Sequence, residues 1–573
     1  MALGLVGLLH AAAPGSTSAL LDAQPITVCP TGCDYDSLQP AVNAAADGAI
    51  ITVGAGTYTG TTQISNSLTI TGSGAVSTVL SGGRAGPVLV IELTVAVTVS
   101  NLAIRNGRAL LENNRALGGG IVNRGILHLA DVTLDSNGSQ PEATADGPNI
   151  GGGGGIYNGC AAGMCGRLTM VNGALTNNFA VGSPISATET VSSTIVGGNA
   201  YGGAIFNGCD VAGCATVLLS GVELSGNTVR GASVDDPHSF IQPGTSFGGA
   251  IFNDCGPAAC GRVDIVGGRL TDNGARGVTS CYPTDGFGGA IYNNGRLSLD
   301  RVSLFENSAS AGHDNCFPYY YGASKGGAIH SSGRLTITAS TLANNWTREA
   351  GGGIYILAGD AYLLNSTLSG NAAYNGAGGG IYNAGTLLAD YVTIVDNVAG
   401  DGNIRTWGQG GGIYASGPNT RIANSILSGN TAPNYGVVDP ISECYGPLTS
   451  LGYNLVSDLT RSPWYDEWEC QLMGDMTGVI TGTLAYLAPL ADNGGPTLTH
   501  IAQFYSPALD AADPQNCPGT DQRGQPRLGP GAGRCDLGAV EGFIPPVSVT
   551  HLAVVARSGN VTELGGSHSP AKH

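Results

Sequence analysis

The chain has 573 residues, of which 93 are glycine, 11% are charged and 6% are aromatic, with a formal net charge of −18 and an isoelectric point near 4.7. That acidic balance argues against nucleic acid or an anionic membrane surface as partner, because phosphate binding needs clustered cations and the only lysines are Lys325 and Lys572. The glycine excess and the lack of long amphipathic stretches exclude a helical enzyme and predict turns and short strands.

Residues 1–24 read as a signal-like segment. Ala2 to Ala13 are apolar and of the right length, and small residues surround Thr17 to Ala19, but no basic residue precedes them, so the signal looks truncated. Residues 25–106 are expected to form an N-terminal cap and the first coils. The pattern predicts one short helix over Leu38 to Ala46, then strands at Ile50 to Val53, Leu68 to Thr71, Thr78 to Leu80, Val88 to Ile91 and Val97 to Ile104. A helix over the open end of a stacked-strand body would stop edge-to-edge association. No later stretch has the roughly twenty uninterrupted apolar residues of a spanning helix.

From residue 107 to 431 the motif GG[GA]I, mostly followed by an aromatic residue and Asn, recurs nine times, beginning at Gly118, Gly153, Gly202, Gly248, Gly288, Gly326, Gly351, Gly378 and Gly410. Each copy leads through a short turn into an eleven-residue unit ending in Asn, as in LHLADVTLDSN (Leu127 to Asn137) and VLLSGVELSGN (Val217 to Asn227). Successive copies lie 25 to 49 residues apart, a periodicity that means stacked coils. The expected fold is all-β: a single-stranded parallel β-helix with three strands per coil, right-handed by the crossover preference. At roughly 4.8 Å per coil, about twelve coils give a rod some 55 to 60 Å long.

Within the unit, positions one, three and eight are apolar and should point inward. A tight bend is expected at position five, read as Asp131, Asn172, Gly221, Gly267, Asn365, Asp390 and Asn424, residue types that tolerate the left-handed region. Position eleven is always Asn, whose amide can bond backbone at the corner and the Asn one coil away.

The fourteen cysteines fall into local pairs. Cys160 and Cys165, Cys209 and Cys214, and Cys255 and Cys260 share one spacing just after the GG[GA]I[YF]N strand, and Cys29 with Cys33, Cys281 with Cys316, Cys444 with Cys470 and Cys517 with Cys535 complete the set. Disulfides in an oxidising compartment are the expectation; a thiolate metal site is the rival, disfavoured because no histidine accompanies the pairs.

The excess length between copies lies almost wholly between the terminal Asn and the next Gly-Gly pair, in Gly138 to Ile150, Phe179 to Ala200, Thr228 to Phe247, Gly274 to Phe287 and Ser308 to Lys325. One corner should therefore carry every long loop, with His238, Phe240, Tyr282, His313, Tyr319, Tyr320 and Tyr321 in them, either as a binding surface or as a shield for the coil edge. Beside it, the residue after each motif isoleucine should face out, giving a column of Tyr157, Phe206, Phe252, Tyr292, His330, Tyr355, Tyr382 and Tyr414. Such rings could stack on sugars or on one another beneath the loops.

The GGAI and L-x-x-N pairing resembles the repeats of chlamydial polymorphic outer membrane proteins and of right-handed parallel β-helix proteins of the pectate lyase-like superfamily. Downstream, LGYNLVSD (Leu451 to Asp458), LAPLADNGGPTLTH (Leu487 to His500), SPALDAADP (Ser506 to Pro514), DQRGQPR (Asp521 to Arg527) and CDLGAVE (Cys535 to Glu541) resemble the choice-of-anchor Q domain, giving a C-terminal region over 432–541. The resemblance implies secretion or display on a bacterial surface. The tail, 542–573, carries no recognisable span or sorting signal and is expected to be disordered.

No catalytic residue is assigned. Lyases on this fold use calcium and a basic proton abstractor, and glycoside hydrolases use two facing carboxylates; here Glu223, Asp264 and Asp300 share no column, Arg301 beside Asp300 is the nearest base to an acid, and Asp285, Asp314, Glu349 and Asp401 sit in loops. The expectation is a monomeric, non-catalytic adhesin or envelope protein for an extracellular glycan or surface protein, with neither metal nor cofactor. The alternative is a polysaccharide lyase, with Ca2+, or a glycoside hydrolase.

Overall fold

The computed structural model describes residues 24–142, 149–183, 195–209, 213–232, 241–256, 259–279, 283–313, 321–401, 408–433, 442–459, 470–527 and 533–544. The chain winds as a parallel β-helix. In a twelve-stranded repeat sheet the motif isoleucines pair in register, Ile121 with Ile156, Ile205, Ile251 and onward to Ile413. A 24-stranded unit sheet collects the eleven-residue units, each continuous as in Ile126–Asp135 or split as in Arg296–Asp300 and Ser303–Phe305. Alternation assigns the faces as expected from a half-buried strand: Leu127, Leu129 and Leu134 are at most 1% exposed, and all nine position-eight side chains, from Leu134 to Leu427, are fully buried.

The first glycine of each copy has a positive φ, 66° at Gly288 and 68° at Gly351. The second has no room for a side chain, since a Cβ on Gly289 would strike the carbonyl oxygen of Gly327 one coil on. The motif thus marks where the chain turns hard against its neighbour.

The bend at position five is present in every unit, but one expected residue is corrected. Counting from Leu387, position five is Tyr391, with φ of 53°, and Asp390 is the strand residue before it. Arg301 (56°) and Ala339 (47°) also occupy the left-handed region. Coil geometry imposes the bend even on residues that disfavour it.

Position eleven forms a buried ladder. Each Asn receives its predecessor's backbone N–H and amide on Oδ1: Asn137 donates to Asn178 at 3.1 and 3.0 Å, Asn178 to Asn227 at 3.0 and 3.1 Å. Each Nδ2 also donates to a carbonyl one coil back, as Asn227 does to Leu175 at 2.9 Å. The ladder continues through Asn273, Asn307, Asn345, Asn371 and Asn397 to Asn430. It ends on buried Glu443, whose Oε2 accepts Asn430 Nδ2 at 2.6 Å and whose Oε1 accepts Gly429 N–H at 2.8 Å and the Ser457 hydroxyl. A second amide row runs Asn123, Asn158, Asn207, Asn253 and Asn293 to Ser331.

Six of the expected cysteine pairs are bonded: Cys29–Cys33, Cys160–Cys165, Cys209–Cys214, Cys255–Cys260, Cys444–Cys470 and Cys517–Cys535. Cys281 and Cys316 lie outside the described residues.

Helix Leu38–Ala44, two residues shorter than expected, buries Leu38, Ala41 and Val42 against the first coils. An unforeseen strand, Ile26–Val28, precedes it and pairs with Ala49–Val53. At the other end the unit sheet closes with Gln471–Asp475, after which the chain doubles back along the outside of four coils. Gln522 accepts from Thr367 Oγ1 at 2.7 Å and donates to Thr341 Oγ1 at 2.8 Å, His500 meets Ser369 Oγ at 2.9 Å, and Ala539 N–H donates to Thr393 Oγ1 at 2.9 Å. Arg527, buried over the Tyr391 ring at 4.5 Å, bonds Asn365 Oδ1 and Glu541. Leu537, Ala508, Ala512 and the Cys535 end pack on Tyr391, Val395 and Ile426.

Candidate functional site

The long insertions leave one corner as a double-walled ridge. Immediately after position eleven, an outgoing sheet runs through Phe179–Val181, Thr228–Arg230, Gly274–Arg276 and Ser308–Ser310; immediately before Gly-Gly, a returning sheet runs through Ala200–Tyr201, Ser246–Phe247, Gly286–Phe287 and Ser324–Lys325. Small residues let the two walls touch: Ala180, Ala200, Val229 and Ala275 are fully buried between them. A Cβ on Gly286 would meet the carbonyls of Ser310 and Ala275. Ser246 Oγ ties the walls by donating to Arg276 O at 2.8 Å and accepting Gly231 N–H at 2.8 Å. Of the loop residues singled out from sequence, His238, Phe240, Tyr282, Tyr319, Tyr320 and Asp314 lie outside the described residues. His313 Nδ1 meets Thr279 Oγ1 at 2.9 Å, and Tyr321 is exposed on the returning side.

In the angle between ridge and repeat sheet stands the aromatic column. Tyr157, Phe206 and Phe252 meet edge to face at 5.5 and 5.1 Å. From Phe252 the rings lie nearly parallel, through Tyr292 (5.5 Å), His330 (4.6 Å), Tyr355 (5.0 Å), Tyr382 (4.8 Å) and Tyr414 (4.6 Å) to Tyr445 (5.0 Å). Parallel neighbours at this spacing cover one another's faces, so the column presents ring edges and hydroxyls. A second row, one residue before Gly-Gly, roofs its first half: Tyr201 lies 4.7 Å from Phe252, Phe247 4.9 Å from Tyr292 and Phe287 5.4 Å from His330. The motif GG[GA]I begins one residue after this row, and Phe247 and Phe287 close the loops read from the sequence. Beyond Phe287 it becomes Lys325, whose ammonium sits 5.2 Å over the Tyr355 ring, then Ala350, Ala377 and Gln409. Tyr382, Tyr414 and Tyr445 are accordingly half-exposed, whereas Phe206, Phe252, His330 and Tyr355 are buried.

Burial, with Lys325 adding, depresses the His330 imidazole to about 3, so the ring stacks as a neutral aromatic. Tyr292 is pushed up to about 12 by burial and by Tyr201. Around Lys325 stand two carboxyls, Asp285 and Glu349, each raised by burial and partly restored by the lysine's charge. Asp285 accepts Ala323 N–H at 2.6 Å.

The three strand acids singled out from sequence stay apart. Asp300 pairs with Arg301 at 2.7 Å, Asp264 pairs with Arg262 at 2.6 Å, and Glu223 lies opposite Arg269 in register. Among the described residues no three His, Cys, Asp or Glu side chains group so as to hold a metal ion.

No protein-family model matches the chain, and no curated protein does. The likeness to solved structures is one of fold alone. The chain is similar to a pectin methylesterase from carrot (12% identity, 62% of this chain and 85% of that one, TM-score 0.26). It is similar also to XylC in a complex with xylose (8%, 90% and 98%, TM-score 0.37). A pectin methylesterase in complex with a hexasaccharide shares 13% identity over 43% of this chain and 78% of its own, with a TM-score of 0.20.

Proposed function

We propose that the chain is a non-catalytic binding rod, secreted or displayed on a bacterial surface, that engages an extracellular glycan or a surface protein through its ridge. One observation carries the reading: the long insertions leave a single corner, their outgoing roots in a sheet that continues through the short loops to Val398–Ala399 and their returning roots in an added sheet that ends before the short loops, at Ser324–Lys325. Insertions that served only to connect coils would have no need of a rigid double wall, whereas a recognition surface gains from one that is ordered in advance. Six disulfides suit an oxidising compartment. No helix among the described residues is long and apolar enough to cross a membrane. The motifs from Leu451 to Glu541 would, as a choice-of-anchor Q region, lie nearest the cell. The test is a glycan and surface-protein array probed with variants lacking one ridge tip each, the strands at the roots being kept. Loss of at least tenfold in binding from one or more deletions is expected; a rod that binds undiminished without any tips sinks the proposal.

A second reading, a polysaccharide lyase or glycoside hydrolase on the same scaffold, is favoured by Asp285 and Glu349, whose raised carboxyls flank Lys325. Release of reducing ends or unsaturated uronates that disappears in both Asp285→Asn and Glu349→Gln would establish it.

A further inference from the structure

The ridge is not of even height. Between the ladder Asn and the next Gly-Gly pair, the coils after Asn345 and Asn371 have five and six residues, against 12 to 23 in the other coils from Asn137 to Gly410. Two of the three exposed rings of the coils stand at this low point, and the third, Tyr321, stands in the longer loop before it. Among the described residues of the coils, the exposed tyrosine, tryptophan and phenylalanine side chains are Tyr321 (44%), Trp346 (36%) and Tyr374 (45%). The other described Phe, Tyr and Trp rings of the coils are half-buried or buried.

A guanidinium is fixed among the loops that carry them. Trp346 and Tyr374 sit in adjacent coils with centroids 6.1 Å apart and planes tilted by 48°, so neither hides the other's face. Arg348, two residues past Trp346, lays its guanidinium 3.3 Å over the Tyr321 ring. Asn375, beside Tyr374, turns its amide oxygen to Arg348 Nε at 2.8 Å and Nη2 at 2.9 Å. Arg348 N–H is held by Ser324 Oγ at 3.2 Å, and Asn375 N–H donates to Arg348 O at 2.6 Å. Tyrosine and tryptophan in such a setting offer large apolar faces at little entropic cost, with directional donors at the rim.

We infer that this saddle in the ridge is a carbohydrate site for a linear neutral polysaccharide, laid across the ridge with pyranose faces on Trp346 and Tyr374 and hydroxyls bonded by Arg348 and Asn375. Neutral chains are singled out because the protein carries a net charge of −18, which disfavours a polyuronate, while at the saddle Lys325 and Arg348 are offset by Asp285 and Glu349, so that no net positive charge remains to hold one. The inference rests on the reading of the ridge as the binding face and adds to it a place and a ligand class.

The experiment is affinity electrophoresis of the full chain through gels holding xylan, β-mannan, mixed-linkage β-glucan or polygalacturonate. The variants are Trp346→Ala, Tyr374→Ala, the double variant of the two, Trp346→Phe and a chain with residues 184–194 replaced by a short Gly-Ser link. At least one neutral polysaccharide should retard the wild type and polygalacturonate should not. Trp346→Ala and Tyr374→Ala should each weaken retardation by about tenfold, about 1.4 kcal/mol, while Trp346→Phe keeps most of it and all variants melt as the wild type does. Retardation unchanged in the Trp346→Ala, Tyr374→Ala double variant overturns the saddle; if the Gly-Ser chain has then lost it, the ridge reading survives alone. Retardation by polygalacturonate only overturns the neutral-chain assignment. A wild type retarded by none of the four overturns the saddle, and the ridge reading then stands or falls on the surface-protein array.

Discussion

A histidine in an aromatic stack acts as a pH sensor on stability. With its folded value near 3 against an ordinary 6.5, His330 refuses a proton that the unfolded chain accepts anywhere between. Stability therefore rises with pH across that window and is lost as pH falls from 6.5 towards 3, by about 1.4 kcal/mol per unit. His330→Phe keeps the ring and removes the titration. Its denaturation midpoint should fall less than that of the wild type between pH 6.5 and 5, the difference amounting to about 2 kcal/mol; parallel profiles would mean that the imidazole is solvated. The bend residues make a second test. Ala339 sits at φ 47°, where a Cβ costs roughly 1 to 2 kcal/mol and glycine little. Ala339→Gly should raise the melting temperature, with a gain of about 0.5 to 1 kcal/mol after glycine's greater chain entropy is subtracted. A drop would show that the bend relaxes without strain.

Ladders turn a one-residue rule into an element. Every internal Asn of position eleven uses both amide hydrogens and accepts twice on Oδ1, so Asn273→Ala would orphan the Asn227 N–H and Nδ2 and the Leu224 carbonyl in a fully buried row. The expected cost is about 3 to 5 kcal/mol, read as lost amide-exchange protection in the coils on either side, whereas Asn273→Asp should cost less at acidic pH because its protonated carboxyl again has a donor. These rows were legible in the sequence: Asn recurs at one position, and period-two alternation around it fixes the inward face. The misreadings have physical causes. Asp390 tolerates the left-handed region better than its neighbour, yet the bend falls on Tyr391, because registry between coils outweighs the preference of one residue. The roofing row Tyr201, Phe247 and Phe287 falls one residue before the Gly-Gly pair, outside the motif, and three copies of nine carry an aromatic residue there; only pairing of the returning strands shows that these rings stand together. Trp346 and Tyr374 occur in the two shortest loops, where length alone gives no reason to look for a surface.

At the scale of the whole rod, the C-terminal motifs act as a clasp. Their residues stood out in the sequence as a set, but their partners are threonines some 150 positions earlier, on an outer face whose polarity looks like ordinary solvent exposure. Thr341, Thr367 and Thr393 are buried beneath Gln522 and Ala539, and Tyr391, Val395 and Ile426 are covered by Ala508, Ala512 and Leu537. A chain ending at residue 482 keeps every coil but strips that cover from four of them. Because stacked coils interact chiefly with their neighbours, the damage should be local. Amide-exchange protection is expected to fall from about Leu335 to Ser457 and the bared patch to bind a hydrophobic dye, while the coils from Ile121 to Asp300 and their disulfides stay as protected as in the full chain. Loss of protection spread evenly along the rod would instead mean that the clasp completes a single cooperative unit, and that the repeats, despite their regularity, do not fold without the segment that returns to cover them.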